Sequence, residues 1–175
     1  MFLDQSLSFN TVVGVGQTVT ATADSSVIVD VTGAGAGTLP QIVNGFPATN
    51  TAVGVDYGAG DGLAIPHVLL TVPTAGTGAG TVTITVKTAP DNGSGSEGTY
   101  TTLVSTVALV GTALVAGTVI DIPLPPLNSN TVLPRFYKLT YTVASTFSAP
   151  FIAELVVNPA QIATFGKYAN NYIVV

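Results

Sequence analysis

Thr81-Val82-Thr83-Ile84-Thr85-Val86-Lys87-Thr88 alternates hydroxyl and aliphatic side chains with a period of two. Successive side chains of a strand point to opposite faces. The run therefore puts Val82, Ile84 and Val86 on one face and the hydroxyls on the other, predicting a strand half-buried against a core. Working outward, similar segments rich in β-branched or aromatic residues run from Thr18 to Thr22, Val27 to Val31, His67 to Val72, Leu103 to Val110, Val119 to Ile122, Phe136 to Val143 and Phe151 to Val157. In the Phe136 segment, Tyr137, Leu139 and Tyr141 share one face while Lys138, Thr140 and Thr142 share the other.

Glycine and proline clusters separate these runs: Gly33 to Gly37, Asp91-Asn92-Gly93-Ser94-Gly95-Ser96 and Pro123-Leu124-Pro125-Pro126-Leu127-Asn128. Glycine supplies positive φ and proline lacks the N–H a central strand needs, so these stretches end strands. No segment has the periodicity of an amphipathic helix. Eight antiparallel strands with long loops predict a single all-β domain over 1–175, a jelly-roll-like two-sheet sandwich. The ends, 1–17 and 159–175, lack clean alternation and read as extended docking arms. The irregular stretch from Thr32 to Gly62 reads as a contact loop.

Charged residues make up only 7% of the chain, with four cations, one histidine, no cysteine and a net charge of −5. A soluble domain usually carries about 25% charged residues, so hydroxyls and backbone must do most of the solvating here. Four scattered cations cannot neutralise a phosphate backbone, which argues against nucleic acid as a partner. No apolar run approaches the roughly 18 residues of a membrane span, and the start lacks the pattern of a secretion signal. Stability without disulfides has to come from packing and subunit contacts.

Constellations that carry chemistry are weak. Gly33 to Gly37 is followed by Thr38-Leu39-Pro40 where a phosphate loop needs Lys-Ser or Lys-Thr. Asp56 and Asp61 in a glycine-rich turn fall short of the six to eight oxygens calcium takes. His67 has no companion for a zinc cluster and reads as structural. Asp121 and Glu154 have the composition of a glycosidase pair, yet both sit in strand-like runs where an outward acid is ordinary, with Arg135 or Lys138 as the expected ion partner. Asn92-Gly93-Ser94 reads as a hairpin loop. The expectation is a protein with no catalytic residues, metal or cofactor.

Val19-Thr20-Ala21-Thr22-Ala23, Val27-Ile28-Val29-Asp30, the central valine-threonine strand, Pro134 to Tyr141 and Ala153-Glu154-Leu155-Val156-Val157 occur in that order along the chain. Together they resemble the capsid decoration, or cement, proteins of tailed bacteriophages, and are similar to the short-tailed Bordetella phage type. Where that pattern has a Leu-Gly stop after Asp30, this chain has Val31-Thr32-Gly33. The resemblance implies a jelly-roll homotrimer on the outer surface of the phage head, assembled in the host cytoplasm, that clamps neighbouring copies of the major capsid protein. Candidate contacts with the shell or between subunits are Phe2, Leu3 and Phe9 at the start, Phe46 and Tyr57 in the loop, and Phe165, Tyr168 and Tyr172 at the end. Alternatives are a lectin-like or adhesin sandwich reading carbohydrate through Tyr57, Tyr100 or Tyr141, and a head-fibre or tail component.

Overall fold

The computed structural model of the chain describes residues 8–12, 15–30, 67–125 and 135–156. In chain order its strands are β1 (Gln17–Val19), β2 (Ala23–Asp24), β3 (Val29–Asp30), β4 (His67–Thr71), β5 (Thr81–Ala89), β6 (Thr101–Ser105), β7 (Leu109–Val110), β8 (Val119–Pro123), β9 (Phe136–Ala144) and β10 (Ala149–Val156). One 3-10 turn, Gly111–Ala113, joins β7 to β8. Every strand pairing is antiparallel.

Two sheets result. One has the order β1-β10-β4-β8; the other is β2-β9-β5-β6, with β3 also on β9 and β7 also on β5. The chain starts in the first sheet, crosses to the second for β2 and β3, and returns for β4. It then crosses over for β5 to β7, back for β8, over for β9 and back for β10. That is jelly-roll connectivity, with β2/β3 and β6/β7 each filling one strand position in two halves. Of the segments expected as single strands, Thr18 to Thr22 is cut short after Val19 and Leu103 to Val110 is divided between β6 and β7. β1 ends at Val19 because Thr20 to Thr22 carry the chain between sheets, and Thr106 to Ala108 interrupt the second.

The long strands show the burial their alternation predicts. Val82, Ile84 and Val86 of β5 are fully buried beside half-exposed threonines, and Leu139 and Tyr141 of β9 and Phe151, Ala153 and Leu155 of β10 face the same interior. The Tyr141 ring lies nearly parallel to Phe151 at 5.5 Å between centroids, which ties one sheet to the other, and Phe147 also lies nearly parallel to Phe151, at 6.4 Å. Each such burial contributes roughly 1.5–3 kcal/mol, with about 0.5–1.5 kcal/mol more for a well-placed aromatic pair. The Tyr141 hydroxyl has no hydrogen-bond partner among the described residues, burial pushes its ionisation far up, and the ring acts as a core hydrophobe.

Of the segment 1–17 assigned to a docking arm, Ser8 to Asn10 lie on the chain's own β10. The Phe9 amide donates to the Ala153 carbonyl at 2.9 Å, and Ser8 bridges Glu154. Asn10 continues the pairing with its side chain: Nδ2 donates to the Phe151 carbonyl at 3.0 Å while Oδ1 accepts from the Ala153 amide at 2.7 Å. Its buried amide stands in for a peptide group on the stretch of β10 beyond the start of β1. Across the sandwich, Gly78 has φ +88 and a Cβ there would lie 2.3 Å from the Thr146 carbonyl oxygen, so only glycine fits. The arm at 159–175 and the loop from Thr32 to Gly62 lie outside the described residues.

Candidate functional site

Arg135 enters β9 beside the end of β3 and the β5–β6 hairpin. Its Nε donates to Asp30 Oδ1 at 3.0 Å and its Nη2 to Asp30 Oδ2 at 2.9 Å, a two-pronged match of guanidinium to carboxylate. Its Nη1 donates to Asp91, and the guanidinium carbon stands 4.8 Å from the centre of the Phe136 ring. Asp91 also organises the hairpin, accepting from the amides of Gly93 and Gly95 at 2.7 and 3.0 Å. These amides, first Gly95, hold its carboxyl below the usual carboxylate range, with Arg135 helping. The hydrogen bond to Asp30 raises the Arg135 pKa further. Asn92 Oδ1 accepts from the Ser94 amide and hydroxyl, so Asn92-Gly93-Ser94 is the hairpin loop its composition predicts.

A second ionic group lies further along the same edge. Lys138 on β9 pairs with Asp24 on β2 at 2.7 Å, and Asp24 also accepts from the Thr140 hydroxyl at 2.6 Å. These two contacts hold the Asp24 carboxyl below its usual range. Lys138 stands directly opposite Lys87, a like-charge pairing that costs stability unless something offsets it. Asp24 does so, together with the Tyr100 ring, whose centre is 4.2 Å from the Lys138 ammonium. Burial is the main cause that pushes the Tyr100 phenol up to about 12, and its hydroxyl has no hydrogen-bond partner among the described residues.

The four-stranded sheet is different. Its outer face carries His67, Glu154 and Asp121, with Leu69 of β4 lying between Glu154 and Asp121 in register. Asp121 Oδ1 meets His67 Nδ1 at 2.6 Å. Neither acid meets the cations expected for it, because Arg135 and Lys138 belong to the opposite sheet and are taken by Asp30, Asp91 and Asp24. Glu154 Oε1 is buried without a hydrogen-bond partner among the described residues, and burial raises its carboxyl above the usual range. Two inter-strand spacings put these two acids on the order of 10 Å apart. Among the described residues no three His, Asp or Glu side chains gather as a metal would need.

The flank formed by β6, β7 and β8 is sparsely charged. Between Gly98 and Pro134 the one charged residue is Asp121. The short connection through the 3-10 turn brings β7 of one sheet next to β8 of the other on this side of the sandwich. Along it Val107 is 78% exposed, Val115 61%, Val119 57% and Val110 40%. Among the described residues no strand pairs with the outer edges of β6, β7 or β8. A shallow open cavity of about 160 Å³ lies on the opposite side, lined by Asn10, Val12, Val15, Gln17 and Ser26 among others.

Of the candidate contact residues, Phe9 is fully buried in the chain's own core, where its ring supports β10 and offers nothing to a partner. Phe2, Leu3, Phe46, Tyr57, Phe165, Tyr168 and Tyr172 lie outside the described residues, as do Asp56 and Asp61. Tyr141, one of the three aromatics considered for stacking a sugar, is fully buried, and Tyr100 already faces Lys138. The grouping of Asp30, Asp91 and Arg135 escaped sequence reasoning. Three distant positions carry no local signal, and only the neighbouring Asn-Gly turn marked one of them. No protein-family model and no curated protein matches this chain.

Proposed function

We propose that this chain is a structural virion protein, a capsid cement protein that sits as a homotrimer on the outside of a phage head and joins neighbouring major capsid proteins. The observation that carries this reading is the distribution of charge over a jelly-roll sandwich. Ion pairs close one side, and the other side is left as a valine and hydroxyl surface with a single carboxylate, Asp121, and with strand edges that no strand among the described residues covers. Such a surface loses little on desolvation, and strand edges add main-chain hydrogen bonds to a neighbour. The resemblance of the ordered strand motifs to phage decoration proteins points the same way.

Cementing requires no chemistry. A protein that binds the assembled shell better than its free subunits adds its binding free energy to the cost of pulling the shell apart. Threefold repetition of a modest contact raises the overall affinity by about 10² to 10⁴ without any new contact type. The test is co-sedimentation of the purified chain with expanded heads lacking it. Saturable binding, with heads that then resist heating, is expected. Heads that sediment bare at saturating protein would overturn the proposal, and a sugar-competable hit on a glycan array would favour the lectin alternative.

A further inference from the structure

We infer that Asn92-Gly93 is a latent deamidation site, held unreactive in the folded chain by the hydrogen bonds that Asp91 and Arg135 impose on the β5–β6 hairpin loop. This is a covalent modification of the chain by its own backbone, whatever the chain attaches to. Asparagine followed by glycine is the pair most prone to it, because glycine has no side chain to shield its amide nitrogen and rotates freely. That nitrogen loses its proton and attacks Asn92 Cγ. The bond from Cγ to Nδ2 breaks, ammonia leaves with the proton, and a five-membered succinimide remains. Water then opens either carbonyl of the ring, giving aspartate or isoaspartate, so the net change is asparagine plus water to aspartate plus ammonia. Replacing Gly93 to remove the hazard would strain the loop, since its φ is +91.

Asn92 to Glu97 are all exposed, so water and hydroxide reach the loop. Its geometry nevertheless opposes the reaction. On deprotonation the nucleophilic lone pair of Gly93 lies along the former N–H direction, and that direction points at Asp91 Oδ1, 2.7 Å away, and not at Asn92 Cγ. The acceptor stays ionised at neutral and alkaline pH, because the Gly95 and Gly93 amides and Arg135 hold the Asp91 carboxyl low. The electrophile is tethered as well: Asn92 Oδ1 accepts from the Ser94 amide at 2.9 Å, the Ser94 hydroxyl at 2.7 Å and the Ser96 amide at 3.4 Å. Such donors would assist an aligned nucleophile by drawing charge onto Oδ1. With Gly93 aimed elsewhere they only fix the side chain, and misplacing reacting groups by an ångström or so slows a reaction about 10²-fold. Arg135 carries the restraint in from the body of the fold, binding Asp91 through Nη1 and Asp30 of β3 through Nε and Nη2.

The experiment incubates the full chain at mildly alkaline pH, folded and in urea, and follows the peptide bearing Asn92 by mass spectrometry, with chromatography to separate the isoaspartate form. Peptide mapping keeps it apart from Asn44-Gly45, the other Asn-Gly pair of the sequence, which lies outside the described residues. For each variant the readout is the rate in urea divided by the rate in the folded chain, so that intrinsic effects of sequence cancel. The wild-type ratio is expected at about 10². Asp91→Ala frees the Gly93 N–H and should lower the ratio about tenfold or more, and Ser94→Ala, which removes one exposed hydroxyl bond, should lower it by less. A wild-type ratio near one, or a folded chain that reacts faster than in urea because the loop promotes attack, would overturn the inference. So would an undiminished ratio in Asp91→Ala that circular dichroism shows to be folded. Where that variant does not fold, Ser94→Ala decides, and a ratio equal to that of the wild type counts against the inference.

Discussion

At the β2–β3 edge, Asp24 and Asp30 sit on strands two residues long and pair with Lys138 and Arg135, whereas the β6–β8 flank presents the five-residue β6 and β8 and the two-residue β7, with a single carboxylate. Both close the same sandwich, and both leave β-strand backbone at the surface. The first is sealed by its own side chains, and a neighbouring strand would have to break ion pairs to enter. The second has no such barrier, and its valines are more exposed than a finished surface needs. In a chain with so few charges, placement matters more than number: all three cations among the described residues belong to the six-stranded sheet.

Breaking the sealed edge has the largest expected effect. Arg135→Ala leaves Asp30 and Asp91 without their shared cation and should lower the urea midpoint more than Asp24→Ala or Glu154→Gln, because two carboxylates lose their partner at once. Arg135→Lys should recover less than half of this, because one ammonium cannot reproduce the fork that serves Asp30 and Asp91 together. Asp24→Ala is expected to cost about 0.5–1 kcal/mol at low salt, less at high salt, since that pair is more exposed. Its carboxyl is held low in the folded state, so the contribution is present at neutral pH and lost as pH falls through the lowered value. Wild type and D24A should therefore converge in strong acid, and a difference that persists there would point to packing instead of charge.

Glu154 sharpens the contrast by titrating the other way. Burial raises its folded-state value, so its contribution is fully present below the ordinary 4.5 and is lost as pH rises through the raised value. Unfolding measured across this window should show the wild type gaining stability on mild acidification while Glu154→Gln lacks that limb. The smallest effect belongs to the open flank. V107K/V115K should alter unfolding of the isolated chain by no more than about 0.5 kcal/mol, as expected for exposed positions. A large loss would mean that these valines already pack within the fold.

Much of the architecture is legible in residue order because burial repeats with the strand period. The Val82, Ile84, Val86 face and the Leu139, Tyr141 face appear where alternation places them. Less legible are the crossings between sheets. Thr20 to Thr22 have strand-forming composition like their neighbours, yet they carry the chain from β1 to β2, and no local preference encodes that change of layer. Phe9 misleads for a related reason. A segment without alternation resembles a loose arm, but hydrogen bonds from Phe9 and Asn10 to β10 hold it on the domain.

By itself the sequence determined the all-β class, the turn positions and the scarcity of charge, since period, glycine and proline chemistry and composition are local properties of the chain. Only the tertiary structure decided which charges meet. Arg135 joins Asp30 and Asp91 and Lys138 joins Asp24, while His67 takes Asp121, because strand order in the two sheets brings distant positions side by side. It also decided that the sparsely charged segment supplies edge strands to both sheets, β6 and β7 to one and β8 to the other. Which layer an edge strand joins is settled only when the sandwich closes.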